Sequence, residues 1–238
     1  MPNILKGLAT LTITAAAAMG APAFAATQTI DAVGYSFSFD DVLWGLAGGT
    51  SFSKVGDVFT FSDLGYTTSS SVARRGDRTS SFSDLLDSAI TITAKSGYTL
   101  SSIVTGATGT VSATAGSNAS ALASAYADGR AYWTTDIGGY KPSGNLNEAY
   151  ANAGTSDVRA YSASDTALFN NGEASAVGNY AVSIGTKTFW GGSSAYATLD
   201  TASFAVSISA VPEPETYAML LAGLGLVGAV ARRRALAA

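Results

Sequence analysis

The sequence predicts an all-β protein, an antiparallel β-sandwich of jelly-roll-like kind. Three observations predict it. Apolar and polar residues alternate with period two in several short runs, the pattern of half-buried strands. Turn signals recur between the runs, at Gly48-Gly49, Gly138-Gly139, Asn170-Asn171-Gly172 and Gly191-Gly192. Between residues 26 and 211 helix formers are scarce, and thirteen of the fifteen acids are aspartate, a turn residue. Many short strands joined by glycine-rich turns build sandwiches rather than doubly wound sheets.

Residues 1–25 read as a secretory signal. Lys6 is the only charge in the segment, and an apolar run follows from Gly7 to Met19. Pro22 breaks the helix, and Ala23-Phe24-Ala25 supplies small residues around a cleavage point before Ala26. The run is too short for a stable span, which needs about 20 apolar residues. Signal peptidase is the partner this segment implies, and residues 26–210 form the secreted domain.

The strands follow in order. Tyr35, Phe37 and Phe39 alternate with Ser36, Ser38 and Asp40. Val58-Phe59-Thr60-Phe61 repeats the pattern, as do Ile90 and Ile92 before a Lys95-Ser96-Gly97 turn. Residues 96–127 carry no charge, and read either as two strands with a loose loop or as ending in a short helix over 118–127. Val182 and Ile184, then Phe204, Val206 and Ile208, complete the set. Forty-four alanines inflate the apolar fraction of 47%, so a thin core is expected. Mobile loops are expected within 65–85 and 140–175.

Composition narrows the chemistry. The chain has no His and no Cys, which removes disulfides, Cys/His zinc sites and imidazole- or thiol-based triads. A net charge of −4 argues against nucleic acid as a partner. No metal or cofactor is expected. Asp40-Asp41 and Asp84/Asp87 offer oxygen ligands, but no loop has the calcium-binding spacing. Arg75-Gly76-Asp77 spells an adhesion tripeptide and reads better, with Arg74 and Arg78, as a solvated charge cluster. Asn118-Ala119-Ser120 matches a glycosylation sequon. Paired carboxylates would serve a glycosidase, and Glu148 and Glu173, both expected in loops, are the only glutamates of the middle. Trp44, Trp133 and Trp190, with Tyr132, Tyr140 and Tyr161, are the candidate platform for sugar rings, against a plain role in the core.

The tail carries the sharpest signal. Val211-Pro212-Glu213-Pro214-Glu215 precedes a 16-residue apolar run, Thr216 to Ala231, and then Arg232-Arg233-Arg234. Two prolines predict an extended, solvated element. As a helix the run reaches roughly 24 Å, short of a hydrocarbon core of about 30 Å, and spans only by thinning the bilayer. The arginines would hold that end in the cytoplasm and leave the body outside. Gly223-Leu224-Gly225-Leu226-Val227-Gly228 formally matches a dinucleotide fingerprint, but no second strand can follow it ten residues from the last residue.

The order of these parts resembles a PEP-CTERM sorting tail, similar in layout to the Gram-positive sortase signal. The resemblance covers residues 211–238. It implies Pro212, Glu213 and Pro214 as the recognition element, a transmembrane helix over 217–231 and Arg232, Arg233 and Arg234 as the stop. Glu215-Thr216-Tyr217 departs from the commoner Ser or Ala, Thr, Trp, while keeping an aromatic. The resemblance also implies exosortase, an inner-membrane protease-transpeptidase, as processing partner, with transient inner-membrane anchoring. The expected setting is the cell surface or the exopolysaccharide matrix of a biofilm-forming Gram-negative bacterium. The function expected is that of a non-enzymatic surface or matrix protein; the alternatives are a carbohydrate-binding module whose partner is exopolysaccharide, and a glycoside hydrolase.

Overall fold

The computed structural model describes residues 26–72, 77–211 and 214–236. The signal segment, Arg74, Arg75, Gly76, Pro212 and Glu213 lie outside the described residues, as do the side chains of Asp77, Arg78 and Asp84.

Thirteen strands form two antiparallel sheets. They are β1 (27–32), β2 (35–40), β3 (51–55), β4 (58–62), β5 (66–72), β6 (77–94), β7 (98–114), β8 (122–135), β9 (140–152), β10 (156–168), β11 (175–189), β12 (193–199) and β13 (201–210). One sheet runs β1-β2-β6-β11-β8-β9. In the other, β7 pairs with β10 along one edge and with β13 and then β12 along the other. The partner set continues outward, since β12 pairs with β5, β13 with β4, and β4 with β3. Strands β12 and β13 are in effect one long strand, with a one-residue register change around Asp200.

The alternating runs explain which face goes inside. Tyr35, Phe37 and Phe39 of β2 are buried, as are Phe59 and Phe61 of β4, Ile90 and Ile92 of β6, Val182 and Ile184 of β11, and Phe204 and Val206 of β13. Their rings interlock between the sheets. Phe37 stacks on Phe59 at 3.8 Å, and Trp44 on Phe61 at 3.9 Å. Phe204 meets Trp44, Trp133 and Tyr180 edge to face, an arrangement that favours the ring quadrupoles. The rest of the core is largely alanine: Ala107, Ala113, Ala123, Ala125, Ala127, Ala195 and Ala197 are all buried.

Several expectations are corrected. Residues 65–85 and 140–175 are mostly strand (β5, β6, β9, β10) rather than loop; their inward residues, such as Thr68, Ser70, Ala149 and Ala151, are small and buried. The uncharged segment 96–127 makes β7 and the start of β8, with a turn at Asn118 instead of a helix. Glu148 sits within β9, opposite Tyr126. In the tail, helix α1 spans Pro214–Leu236. The second proline therefore opens the helix, at the position where its missing N–H costs nothing. The expected transmembrane helix is also corrected: among the described residues no helix is long and apolar enough to cross a membrane. Glycine, alanine and threonine dilute the apolar run, and the last turns are arginine.

One edge of the sandwich is sealed without a ladder. The free edge of β9 faces β10. Asp165 accepts a hydrogen bond from the Gly144 amide at 2.9 Å, and Asp157 one from the Tyr150 amide at 3.2 Å. Arg159 donates to the Glu148 carbonyl and pairs with Asp157 at 3.3 Å. Backbone groups that a neighbouring strand would use are thus occupied by side chains.

Candidate functional site

The six candidate aromatics separate by burial. Trp44 is buried, its indole N–H donating to the Ala89 carbonyl at 3.0 Å. Trp133 is also buried and donates to the Ser143 hydroxyl at 3.3 Å. Neither ring has an open face for a sugar, so both belong to the core. Trp190 is half-buried, edge-on to Phe189 at 5.6 Å. Tyr161 points inward from β10, its hydroxyl donating to the Thr198 carbonyl at 2.8 Å. Burial first, and then the charges of Asp200 and Asp128, push that hydroxyl well above the ordinary tyrosine range.

Tyr132 and Tyr140 are different. They project from the outer face of β8 and β9, with centroids 5.8 Å apart and planes within 19°. Tyr140 is 61% exposed. The same parity puts Tyr126 on this outer face, and Tyr150 on the facing strand, 54% exposed. The Tyr126 ring lies over Gly185, its cross-strand partner, where a Cβ would come within 2.3 Å of it. Between the tyrosines, Arg130 pairs with the buried Asp128 at 2.6 Å. The Asp128 charge raises the arginine's pKa further. The result is an outer face that carries phenol rings about an ion pair, with one stacked pair among them; such rings can stack on apolar sugar faces and bond hydroxyls at their edges. Tyr126 and Tyr150 escaped the sequence reading. The signal was present, since odd positions from 123 to 133 hold Ala, Gly and Trp133 and even ones hold the polar set.

The carboxylates hold turns. Asp40 accepts from the amides of Val42 and Leu43 at 2.9 and 3.0 Å. Asp41 ties down the Ala26 amide at 3.0 Å, and Asp87 is exposed. Glu173 is fully buried in the loop after β10. Burial raises its pKa, but the Asn171 and Glu173 amides and Lys141 outweigh that and hold it below the usual glutamate value. Among the described residues no three His, Cys, Asp or Glu side chains gather as a metal site. Asn118 accepts from the Ser120 amide at 2.9 Å, so the sequon forms a tight turn.

On α1, Met219, Leu220, Leu221, Leu224, Leu226 and Val227 are all exposed, as is Arg232. Nothing in the described body covers these apolar side chains.

Residues 210–234 match the PEP-CTERM protein-sorting motif. The chain therefore carries that motif at its C-terminal tail, which marks it as an exported protein targeted by exosortase. No curated protein is matched. Two solved structures of infectious bursal disease virus align weakly. For the Gx strain the identity is 14% and the TM-score 0.17, over 68% of this chain and 45% of that one. For the Gt strain they are 14% and 0.17, over 76% and 53%. The chain spans about half the length of those viral chains, and a likeness this slight carries no argument about fold or function.

Proposed function

We propose that the protein is a non-catalytic component of the cell surface or exopolysaccharide matrix, exported with a signal peptide over 1–25 and processed by exosortase near Pro212-Glu213-Pro214. The observation that carries this reading is the sorting motif at 210–234. Three features support it. The exposed leucines of α1 suit a segment handled by membrane-embedded machinery and then discarded. The body (26–210) has the strand order β5-β12-β7-β10 over β6-β11-β8-β9, which we read as a jelly roll of two Greek keys. The chain also lacks the imidazole and thiol groups on which most acid–base and nucleophilic sites rely. The test is the intact mass of protein recovered from medium and from membranes of producing cells. Loss of both ends is expected, and Glu213→Ala should leave the tail attached. Full-length protein in the cytosol, with Met1 and Ala238 in place, would refute the reading.

The stacked Tyr132–Tyr140 pair favours a second reading, a carbohydrate-binding module of that matrix. In it Tyr132 and Tyr140 carry the role, while Trp44 and Trp133, named beside them as candidates, are buried. Tyr140→Ala should then weaken retardation in gels containing the organism's exopolysaccharide. Equal retardation of wild type and variant would remove this reading.

A further inference from the structure

A cavity of about 580 Å³ opens where the β1–β2 turn, the β3–β4 hairpin and β13 meet. Its size falls within the range of small-molecule sites, about 300–1,000 Å³. It is an open depression: Val206 and Ile208 give it an apolar wall, Val33 stands 86% exposed at its rim, and Tyr35, Lys54 and the exposed Asp57 supply its polar groups.

The two charges in this cavity are opposite and do not pair with each other. Lys54 lies on β3, its ammonium 5.7 Å from the centroid of the buried Phe59 ring. Among the described residues no carboxylate forms an ion pair with it. Asp57 sits in the hairpin turn. Its Oδ1 accepts the Tyr35 hydroxyl at 2.8 Å, while its Oδ2 has no hydrogen bond among the described residues. Burial, and then Asp57 itself, raise the pKa of the Tyr35 hydroxyl far above its ordinary value. That group therefore remains a donor and fixes the carboxylate in place. One cation and one solvent-facing anion, held by the Tyr35 hydroxyl, thus border the same apolar wall.

We propose that this cavity binds a small zwitterion, an α-amino acid with an apolar side chain. The ligand carboxylate meets the Lys54 ammonium, its ammonium meets Asp57 Oδ2, and its side chain lies against Val206 and Ile208, with Val33 at the rim. Charge-assisted hydrogen bonds of this kind are the strong ones. A polyanion would be repelled by a chain of net charge −4, whereas a zwitterion carries no net charge to repel. The inference rests on neither the sorting nor the carbohydrate reading, and stands or falls apart from them.

The experiment is calorimetric titration of the full chain with L-leucine, 4-methylpentanoate and 3-methylbutylamine, with methyl NMR of Val33 and Ile208. Leucine should bind and shift both methyl sets. Removing either ligand charge should weaken binding about tenfold or more. Lys54→Met should bring leucine down to the level of the amine, and Asp57→Asn to that of the acid. Lys54→Arg, which keeps the cation and the fold, should retain most of the affinity. The proposal is overturned if millimolar leucine gives no heat, if its shifts map elsewhere, or if leucine binds both charge-removing variants undiminished. A hexose that displaces leucine and survives both substitutions would assign the cavity to sugars instead.

Discussion

Phe204 and Leu224 are large apolar side chains twenty residues apart. Phe204 is fully buried in a nest of rings, whereas Leu224 is 61% exposed on α1. The body places its apolar residues on alternate positions and covers them with a second sheet. The tail places them contiguously and covers them with nothing. Burial stabilises at roughly 25 cal/mol per Å² of apolar surface, so body residues contribute to the folding of this chain. The tail's leucines contribute only when something else supplies the apolar surroundings. The same residue types therefore serve stability in one region and delivery in the other.

The sharpest break of this contrast is a pair of truncations. Phe204→Ala should cost about 3–5 kcal/mol in denaturant unfolding, while Leu224→Ala should stay within about 0.5 kcal/mol. A comparable loss from both would mean that the tail packs on the body in solution. Next in size is Gly178→Ala. A Cβ there would lie 2.5 Å from the Trp133 ring, its cross-strand neighbour, and overpacking of this kind costs about 1–3 kcal/mol. Urea melts should show the loss, and an unchanged midpoint would mean that the indole can swing away.

A smaller effect is set by pH. The folded-state pKa of Glu173 lies below the ordinary value, so its contribution is complete above about pH 4.3 and is lost as pH falls through the folded value. Glu173→Gln should flatten the acid limb of stability against pH. A slope identical to that of the wild type would place acid sensitivity elsewhere. The smallest effect expected is from removing residues 212–238, which should leave the melting temperature of the body unchanged in scanning calorimetry.

How much of this was legible in the sequence follows from the size of the alternating residues. Where large residues alternate with polar ones, as at 35–39, 58–61, 90–92, 182–184 and 204–208, both the strand and its inward face can be read. Where the inward residues are Thr68 and Ser70, or Ala149 and Ala151, hydropathy has almost no contrast, so β5, β9 and β10 passed for loops. Strand order was not legible, because pairing joins residues such as Thr60 and Ser203 that are far apart in the chain. The candidate sugar platform was legible only in part, for a different reason. The six aromatics were grouped by residue type, but Trp133 shares the parity of Ala131 and goes inside, while Tyr132 and Tyr140 face outward. The tail could be read because its signal is a linear order of parts that needs no partner.

Exported chains meet copies of themselves at high concentration before any downstream step dilutes them. A bare margin of amides and carbonyls would then recruit the margin of the next molecule and propagate into fibrils. With Asp157, Arg159 and Asp165 fastened onto β9, that flank has little left to offer a newcomer. Neutralising all three together should therefore expose itself first as clumping during secretion, before any change in what the protein binds.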